Sequence, residues 1–136
     1  MNTTFRKIIA WKLGVLVTKL LENNHPRIIG VTGSVGKSTT KEAIFQVLKS
    51  KYKNRIKKSV GNQNTEIGLP LAILGFDKNP KFWQWPNTII SAFMKVIIPE
   101  LNPLKNIDIL VLEYASSKPG DIKYLADLVK PNISVI

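Results

Sequence analysis

Cysteine is absent from this chain of 136 residues, and histidine occurs once, at His25. The first absence excludes a disulfide framework, a thiolate zinc site and a cysteine nucleophile, and is compatible with a reducing cytoplasm. The second argues against a histidine-rich metal site and against a Ser-His-Asp triad. Acidic residues are also scarce, nine against 20 lysines and arginines, which leaves a formal net charge of +11. That balance implies an anionic partner: nucleotide, nucleic acid, anionic lipid or a phosphorylated substrate. Charge alone does not choose among them. No stretch reaches the roughly 18 uncharged apolar residues of a membrane-spanning helix. Lysines interrupt the N-terminal apolar stretch and no small-residue cleavage site follows it, so a cleaved signal peptide fits poorly. There is no internal repeat and no low-complexity linker. A hydrophobic content of 44% over this length is enough for one folded domain with a sizeable core.

The most informative run is Gly30-Val31-Thr32-Gly33-Ser34-Val35-Gly36-Lys37-Ser38-Thr39. Before it, residues 27–32 read as a short buried strand. After it, Lys41 to Lys49 has helical spacing, with Ala43, Ile44, Val47 and Leu48 expected on one face. Strand, glycine loop and helix in that order predict a phosphate-binding loop. Gly33 and Gly36 would let the backbone turn tightly and approach a phosphate, while the N–H groups of Ser34 to Thr39 and the positive end of the helix would donate to it. Lys37 would reach the terminal phosphates, and the Ser38 hydroxyl is placed to ligate a magnesium ion. The common pattern G-x-x-x-x-G-K-[ST] wants glycine at position 31, where this chain has Val31; its glycines fall three apart instead.

The pattern along the chain predicts helix over 3–23, strand 27–32, helix 38–50, a short strand at 55–59, a helical segment 69–74, helix 87–98, strand 107–113, helix 119–130 and a last strand 132–136. Strands alternating with helices predict a P-loop-containing α/β fold, with a mostly parallel sheet covered by helices on both faces. In Ile107-Asp108-Ile109-Leu110-Val111-Leu112-Glu113 an apolar strand ends in a carboxylate. This sets Glu113 at the carboxyl edge of the sheet beside the loop, as a magnesium ligand or a water-positioning group. Asp108, at the opposite end, reads as a solvated terminus, and His25 before Pro26 as a turn residue. The lysine and arginine cluster at 49–58 reads as a solvated run rather than a nucleic-acid surface, because no recognition module accompanies it. Two segments are amphipathic or nearly so: basic Phe5 to Leu21, and Phe82 to Ile98 with two tryptophans and one lysine at its head and middle. Each is expected to pack against the domain or a neighbour; a membrane interface is the other reading.

Three segments together resemble the Mur ligase family, and within it the branch that adds D-alanyl-D-alanine to a UDP-muramoyl-tripeptide. They are the loop Gly30 to Thr40 running into Lys41-Glu42, the run Gly61-Asn62-Gln63-Asn64-Thr65-Glu66-Ile67-Gly68-Leu69-Pro70, and Glu113-Tyr114-Ala115-Ser116-Ser117-Lys118-Pro119-Gly120-Asp121-Ile122. The likeness covers about residues 27–136, preceded by an N-terminal amphipathic helix at 1–26. The unusual glycine spacing of the loop is similar to that family's own version. Lys118 stands where the family often has a histidine, and Ala115 where it usually has glycine.

The resemblance implies part of an ATP- and magnesium-dependent, cytoplasmic ligase of peptidoglycan precursor synthesis. In such an enzyme a substrate carboxylate attacks the γ-phosphate of ATP, and an amine displaces the resulting acyl phosphate. It implies that Lys37 supports the transferring phosphoryl group, that Ser38 and Glu113 hold magnesium, and that Asn62, Asn64 and Thr65 line the path to a UDP-muramoyl-peptide. It also implies that the adenine contacts and the amino-acid site lie beyond residue 136, so that these residues hold the first part of an ATPase domain: a fragment, one product of a split gene, or a subunit that a second chain would complete. A contrasting reading is a non-catalytic nucleotide-binding module that uses its amphipathic helices at the inner face of a membrane.

Overall fold

The computed structural model describes residues 2–61 and 63–136. Four short strands, β1 (Arg27–Val31), β2 (Ile56–Lys58), β3 (Ile109–Glu113) and β4 (Ile133–Val135), form one sheet in the order β2-β3-β1-β4. Every pairing among them is parallel. Among the described residues five α-helices accompany them: α1 (Thr3–Asn24), α2 (Lys37–Tyr52), α3 (Gly68–Ile73), α4 (Trp85–Ile97) and α5 (Asp121–Leu128).

Side chains alternate across a strand, and the two central strands use both faces. Ile29, Val31, Ile109 and Val111 join Ile56 in one cluster, covered by Ile44, Phe45, Leu48 and Tyr52 of α2. Ile28, Leu110 and Leu112 point the other way, into a larger cluster with Leu13, Val17 and Leu20 of α1, Leu69 and Leu71 of α3, Trp85 and Ala92 of α4, and Leu125 of α5. Helices therefore lie on both faces of an all-parallel sheet, as the alternation of elements predicts. Leaving β1, the chain passes over β3 through α2 to reach β2. Leaving β3, it passes over β1 through α5 to reach β4. The two crossovers run in opposite directions on opposite faces, which opens a crevice at the carboxyl ends of β1 and β3.

The elements differ from the sequence expectation where local chemistry shifts an end. Helix α4 begins at Trp85, because Pro86 sits in its first turn, where a missing N–H costs nothing. Strand β3 starts two residues late, since Ile107 N–H closes a turn onto Leu104 O and Asn106 takes a left-handed φ of 62°. Helix α5 waits for Gly120, whose φ of 95° turns the chain into it. The buried face of α2 is also rotated from the expected one. Ile44 and Leu48 face the sheet with Phe45 and Tyr52, whereas Ala43 and Val47 are exposed. The stripe that packs begins at Lys41 and continues at 44, 45, 48 and 52, a full helical face.

The expected turn at His25 is a left-handed C-cap, φ 50°, whose N–H donates to Leu21 O. Asp108 is not merely solvated: it pairs with Arg55 at 2.8 Å and accepts from Arg27 N–H through its carbonyl. In the basic cluster, Lys58 pairs with Glu42 and lies over the Phe45 ring, and Lys49 lies over the same ring. These stems cover apolar surface while their heads stay wet.

Gly30, in the middle of β1, is there for closeness rather than for a turn. A Cβ at this position would lie 2.8 Å from Tyr114 Cε2 and 3.1 Å from Pro131 Cβ. The Tyr114 ring cannot easily retreat, because its buried hydroxyl donates to Val129 O at 2.6 Å. Gly30→Ala is therefore expected to lower stability by about 1–3 kcal/mol through overpacking. Leu13→Ala, which empties a fully buried site on α1, should cost about 2–5 kcal/mol. Urea denaturation followed by circular dichroism reads both; an unchanged midpoint for Leu13→Ala would show that α1 is not part of the cooperative core.

Candidate functional site

The register Val31↔Glu113 brings the ends of β1 and β3 side by side, and two further bonds extend the ladder, Tyr114 N–H to Val31 O at 2.8 Å and Thr32 N–H to Val135 O at 2.9 Å. The glycine loop after β1 therefore opens beside the last residue of β3. Strand parity decides which way that residue points. Ile109 and Val111 face α2, so Glu113, two residues on, also faces α2. Position and orientation of the carboxylate thus follow from the apolar strand that carries it.

The loop turns on two glycines in left-handed conformations, Gly33 at φ 137° and Gly36 at φ 79°. A Cβ on Gly36 would touch nothing within 4 Å, so its backbone conformation, not crowding, is what asks for glycine. Gly36 caps α2, and its carbonyl accepts from Thr40 N–H at 2.9 Å. Lys37 folds back across the loop and donates from Nζ to Gly33 O at 2.9 Å. Ser34, Ser38 and Thr39 are exposed around the same turn.

Ser38 and Lys41, one turn apart on α2, both reach Glu113. Ser38 Oγ donates to Glu113 Oε2 at 2.8 Å, and Lys41 Nζ stands 3.3 Å from the same oxygen. From the other side Asn64 Nδ2 donates to Glu113 Oε1 at 3.0 Å, while the Asn64 carbonyl accepts from Ala115 N–H at 3.0 Å. Glu113 N–H points toward Ser59 Oγ at 3.4 Å. Glu113 is 3% exposed and Lys41 5%. Burial pushes the Glu113 carboxyl up, but donation from Ser38 and Asn64 and the charge of Lys41 together outweigh it and hold the group below its ordinary 4.5. The carboxylate is ionised at neutral pH, beside a hydroxyl, at the mouth of a glycine loop.

Of the residues singled out in the sequence, the structure brings together Gly33, Gly36, Lys37, Ser38, Asn64 and Glu113. Thr65 stands apart from the Glu113 cluster: its Oγ1 accepts from Gly68 N–H at 3.2 Å at the start of α3, and it lines a cleft at the head of α1. Asn62 lies outside the described residues. Lys41 and Ser59 were missed. The signal for Lys41 was its place on the apolar stripe of α2, where a charge demands a partner; Ser59 carries no signal short of the fold. Among the described residues no group of three or more His, Cys, Asp and Glu side chains is assembled. Ser38 and Glu113 are nonetheless a hard oxygen pair on one spot, a donor set that suits magnesium better than a softer metal.

A cleft of about 470 Å³ is lined by the chain neighbours of Asn64 and Glu113, though by none of the clustered side chains themselves. Thr65 and Glu66 line one wall, Ala115 to Lys118 another, and Thr3, Arg6 and Lys7 at the head of α1 the third. Arg6 Nε donates to Glu66 Oε1 at 2.6 Å across it. The 115–118 loop is tied to α5 by Asp121, whose Oδ2 accepts from the N–H groups of Ser117 and Lys118 at 2.9 and 3.0 Å.

Glu113→Gln removes the negative charge and strands Lys41 in a buried place, a change expected to cost on the order of 3 kcal/mol at pH 7. Because the folded state lowers the Glu113 pKa, the charge contributes stability above pH 4.5. That contribution is lost as pH falls through the lower folded value. The gap between wild type and Glu113→Gln in denaturant melts should thus be full at pH 7 and close below pH 4.5. A gap independent of pH would rule out charge as its cause.

The family model described as the Mur ligase middle domain matches residues 31–84. The UDP-N-acetylmuramoyl-tripeptide–D-alanyl-D-alanine ligase of Bacillus subtilis (strain 168) is 36% identical over 121 residues, covering 89% of this chain and 20% of that protein. The ligase of the same name from Borreliella burgdorferi is 32% identical over 124 residues, 91% of this chain and 20% of that protein. The chain therefore spans about a fifth of the length of the curated relatives it matches. Among solved structures, the MurF ligase from Thermotoga maritima, crystallised in complex with ADP, superposes with a TM-score of 0.61 at 36% identity, over 90% of this chain and 22% of that one. Among the described residues, no helix is long and apolar enough to cross a membrane. Likeness in sequence and likeness in fold each run through about nine-tenths of the chain, and on that ground it belongs to the Mur ligase family.

Proposed function

We propose that this chain provides the ATP-binding and carboxylate-activating part of a Mur-type amide ligase acting on a UDP-muramoyl-peptide. The observation that carries the reading is the Glu113 carboxylate held against the Ser38 hydroxyl at the mouth of the glycine loop. ADP in the Thermotoga maritima relative supports the nucleotide.

In the reaction, an oxygen of the substrate carboxylate attacks the γ-phosphorus of ATP. The bond to the bridging oxygen breaks, ADP departs, and an acyl phosphate remains; an amine then adds to its carbonyl carbon, loses a proton, and phosphate leaves. Negative charge spreads over the phosphoryl oxygens as this proceeds, so fixed donors are needed around them. The backbone N–H groups of Gly33 to Thr39 and the positive end of α2 supply neutral donors. Lys37, now on the Gly33 carbonyl, exchanges that neutral acceptor for phosphate oxygens. Ser38 and Glu113 would hold a magnesium ion, which supplies charge neutralisation when bound.

Lys41 keeps Glu113 ionised and turned toward Ser38, a positioning role. Asn64 fixes the second carboxylate oxygen, and its neighbour Thr65 borders the cleft where the muramoyl-peptide would lie. Arg6, Lys7 and Lys118 line that cleft against Glu66 and Asp121, with Arg6 paired to Glu66, so Lys7 and Lys118 are the cations left to meet an anionic substrate.

Calorimetric titration of the chain with magnesium-ATP tests the nucleotide half of this reading. Wild type is expected to bind, and Lys37→Ala to bind on the order of 10- to 100-fold more weakly, the loss of a charge-assisted contact worth about 1.5–3 kcal/mol. Equal affinity in the two proteins, or no binding by a folded wild type, would defeat it.

A further inference from the structure

Helices α1 and α4 pack side by side over the sheet, and each still carries apolar side chains on the side turned away from the core. On α1, Ile8, Trp11 and Val15 are exposed at helical spacing, Trp11 by 67%. On α4, Ile90, Phe93 and Ile97 are exposed at the same spacing, Phe93 by 54%. The two stripes meet: Trp11, Val15 and Leu16 from α1 and Ile89, Ile90 and Phe93 from α4 line a single apolar groove. Two of the five α-helices among the described residues lie on this face, and both already have their inner sides filled by Leu13, Val17 and Leu20 and by Trp85 and Ala92. Contiguous exposed apolar surface of this kind marks a contact with something outside the domain.

Charge decides what that something is. Lys12 lines the groove itself, and Lys12 and Lys19 fall on the same helical stripe as Ile8 and Val15. Lys7 is exposed beside them, and Lys81 lies over the Trp83 ring in the turn that leads into α4. Helix α4 has no acidic residue at all, and α1 has one, Glu22, near its C-terminal end. Lys95, the single charge on α4, is turned inward to the carbonyls of Leu74 and Gly75 at 3.0 and 3.1 Å. The exposed face is thus apolar at its centre, rimmed with lysine, and bordered by the exposed aromatics Phe82 and Trp83.

We infer that the α1–α4 face docks on an anionic lipid surface, lying in the plane of the headgroups. Tryptophan and phenylalanine on the apolar side with lysines at the rim is the arrangement that binds an interface, by burial of apolar area and by attraction to acidic headgroups. A second copy is disfavoured as occupant, since it would set Lys12 and Lys19 against their own counterparts and bring two chains of net charge +11 together. The inference concerns a surface separate from the Glu113 cluster and stands whether or not the chain binds nucleotide.

Flotation of the full chain with vesicles of phosphatidylcholine alone, and of phosphatidylcholine mixed with phosphatidylglycerol, tests it. The chain is expected to float with the mixed vesicles and to stay behind with the neutral ones. The double variant Trp11→Ser, Phe93→Ser should reduce co-flotation on the order of tenfold or more. Its thermal midpoint should be unchanged, because both side chains are exposed; should that pair fail to fold, Val15→Ser with Ile90→Ser reads the same groove. Lys51→Ala with Lys53→Ala, in the separate basic cluster, should leave flotation intact.

Failure of the folded wild type to float with anionic vesicles would overturn the proposal, and would leave an acidic protein as the occupant to seek. So would flotation that survives the apolar variants and disappears with Lys51 and Lys53. A wild type that is dimeric by light scattering, and monomeric in Trp11→Ser, Phe93→Ser, would overturn it in favour of a second copy.

Discussion

One carboxylate holds the functional end of this molecule together. Glu113 receives Ser38 and Lys41 from the helix after the glycine loop and Asn64 from the segment before α3, and it sits at the end of a central strand. Two stretches far apart in the chain converge on the two oxygens carried by a third. Burying a carboxylate is costly unless its lone pairs are taken up, and here each oxygen has a donor and a cation stands within reach. The same convergence explains the turn of α2: with Ser38 and Lys41 pinned on Glu113, the helix must present Ile44, Phe45, Leu48 and Tyr52 to the sheet.

That constraint ties the shape of the loop to the chemistry proposed for it. The loop turns on Gly33 and Gly36, Lys37 bridges it internally, and the Ser38 hydroxyl is already directed at the carboxylate. Apart from Lys37, which must leave the Gly33 carbonyl, a site arranged before a ligand arrives needs little rearrangement on binding. The cleft is bordered by Thr65, Ala115 and the head of α1, so α1 serves both the core and the rim of the cleft. Its outward stripe, together with that of α4, is a separate surface with its own physical demand: large apolar side chains ringed by lysines.

Much of the architecture is legible in the chain. The apolar run ending at Glu113 marks a buried strand with its charge at the carboxyl edge, and the glycine loop between a strand and a helical pattern marks where a phosphate would lie. The alternation of the two periods predicts the parallel sheet. The ends of α4, β3 and α5 were less legible, because a proline inside a first turn, a left-handed Asn106 and a left-handed Gly120 shift boundaries by a residue or two without altering the pattern around them. Gly30 looked like one of three loop glycines, yet its structural reason is the Tyr114 ring packed against it.

What the sequence alone determined is whatever depends on neighbours along the chain: the strand and helix periods, the flexible glycines, the cationic balance, and the short segments whose residue types mark the family. What only the tertiary structure decided is whatever depends on register and strand order. The order β2-β3-β1-β4 sets Glu113 beside Val31, strand parity aims it at α2, and that meeting recruits Lys41, which in the sequence is only one lysine among many. The apolar face shared by α1 and α4 has the same origin. Each helix is legible as a stripe, but which part of the stripe stays exposed depends on how two helices share one side of a sheet, and a chain read residue by residue carries no record of that division.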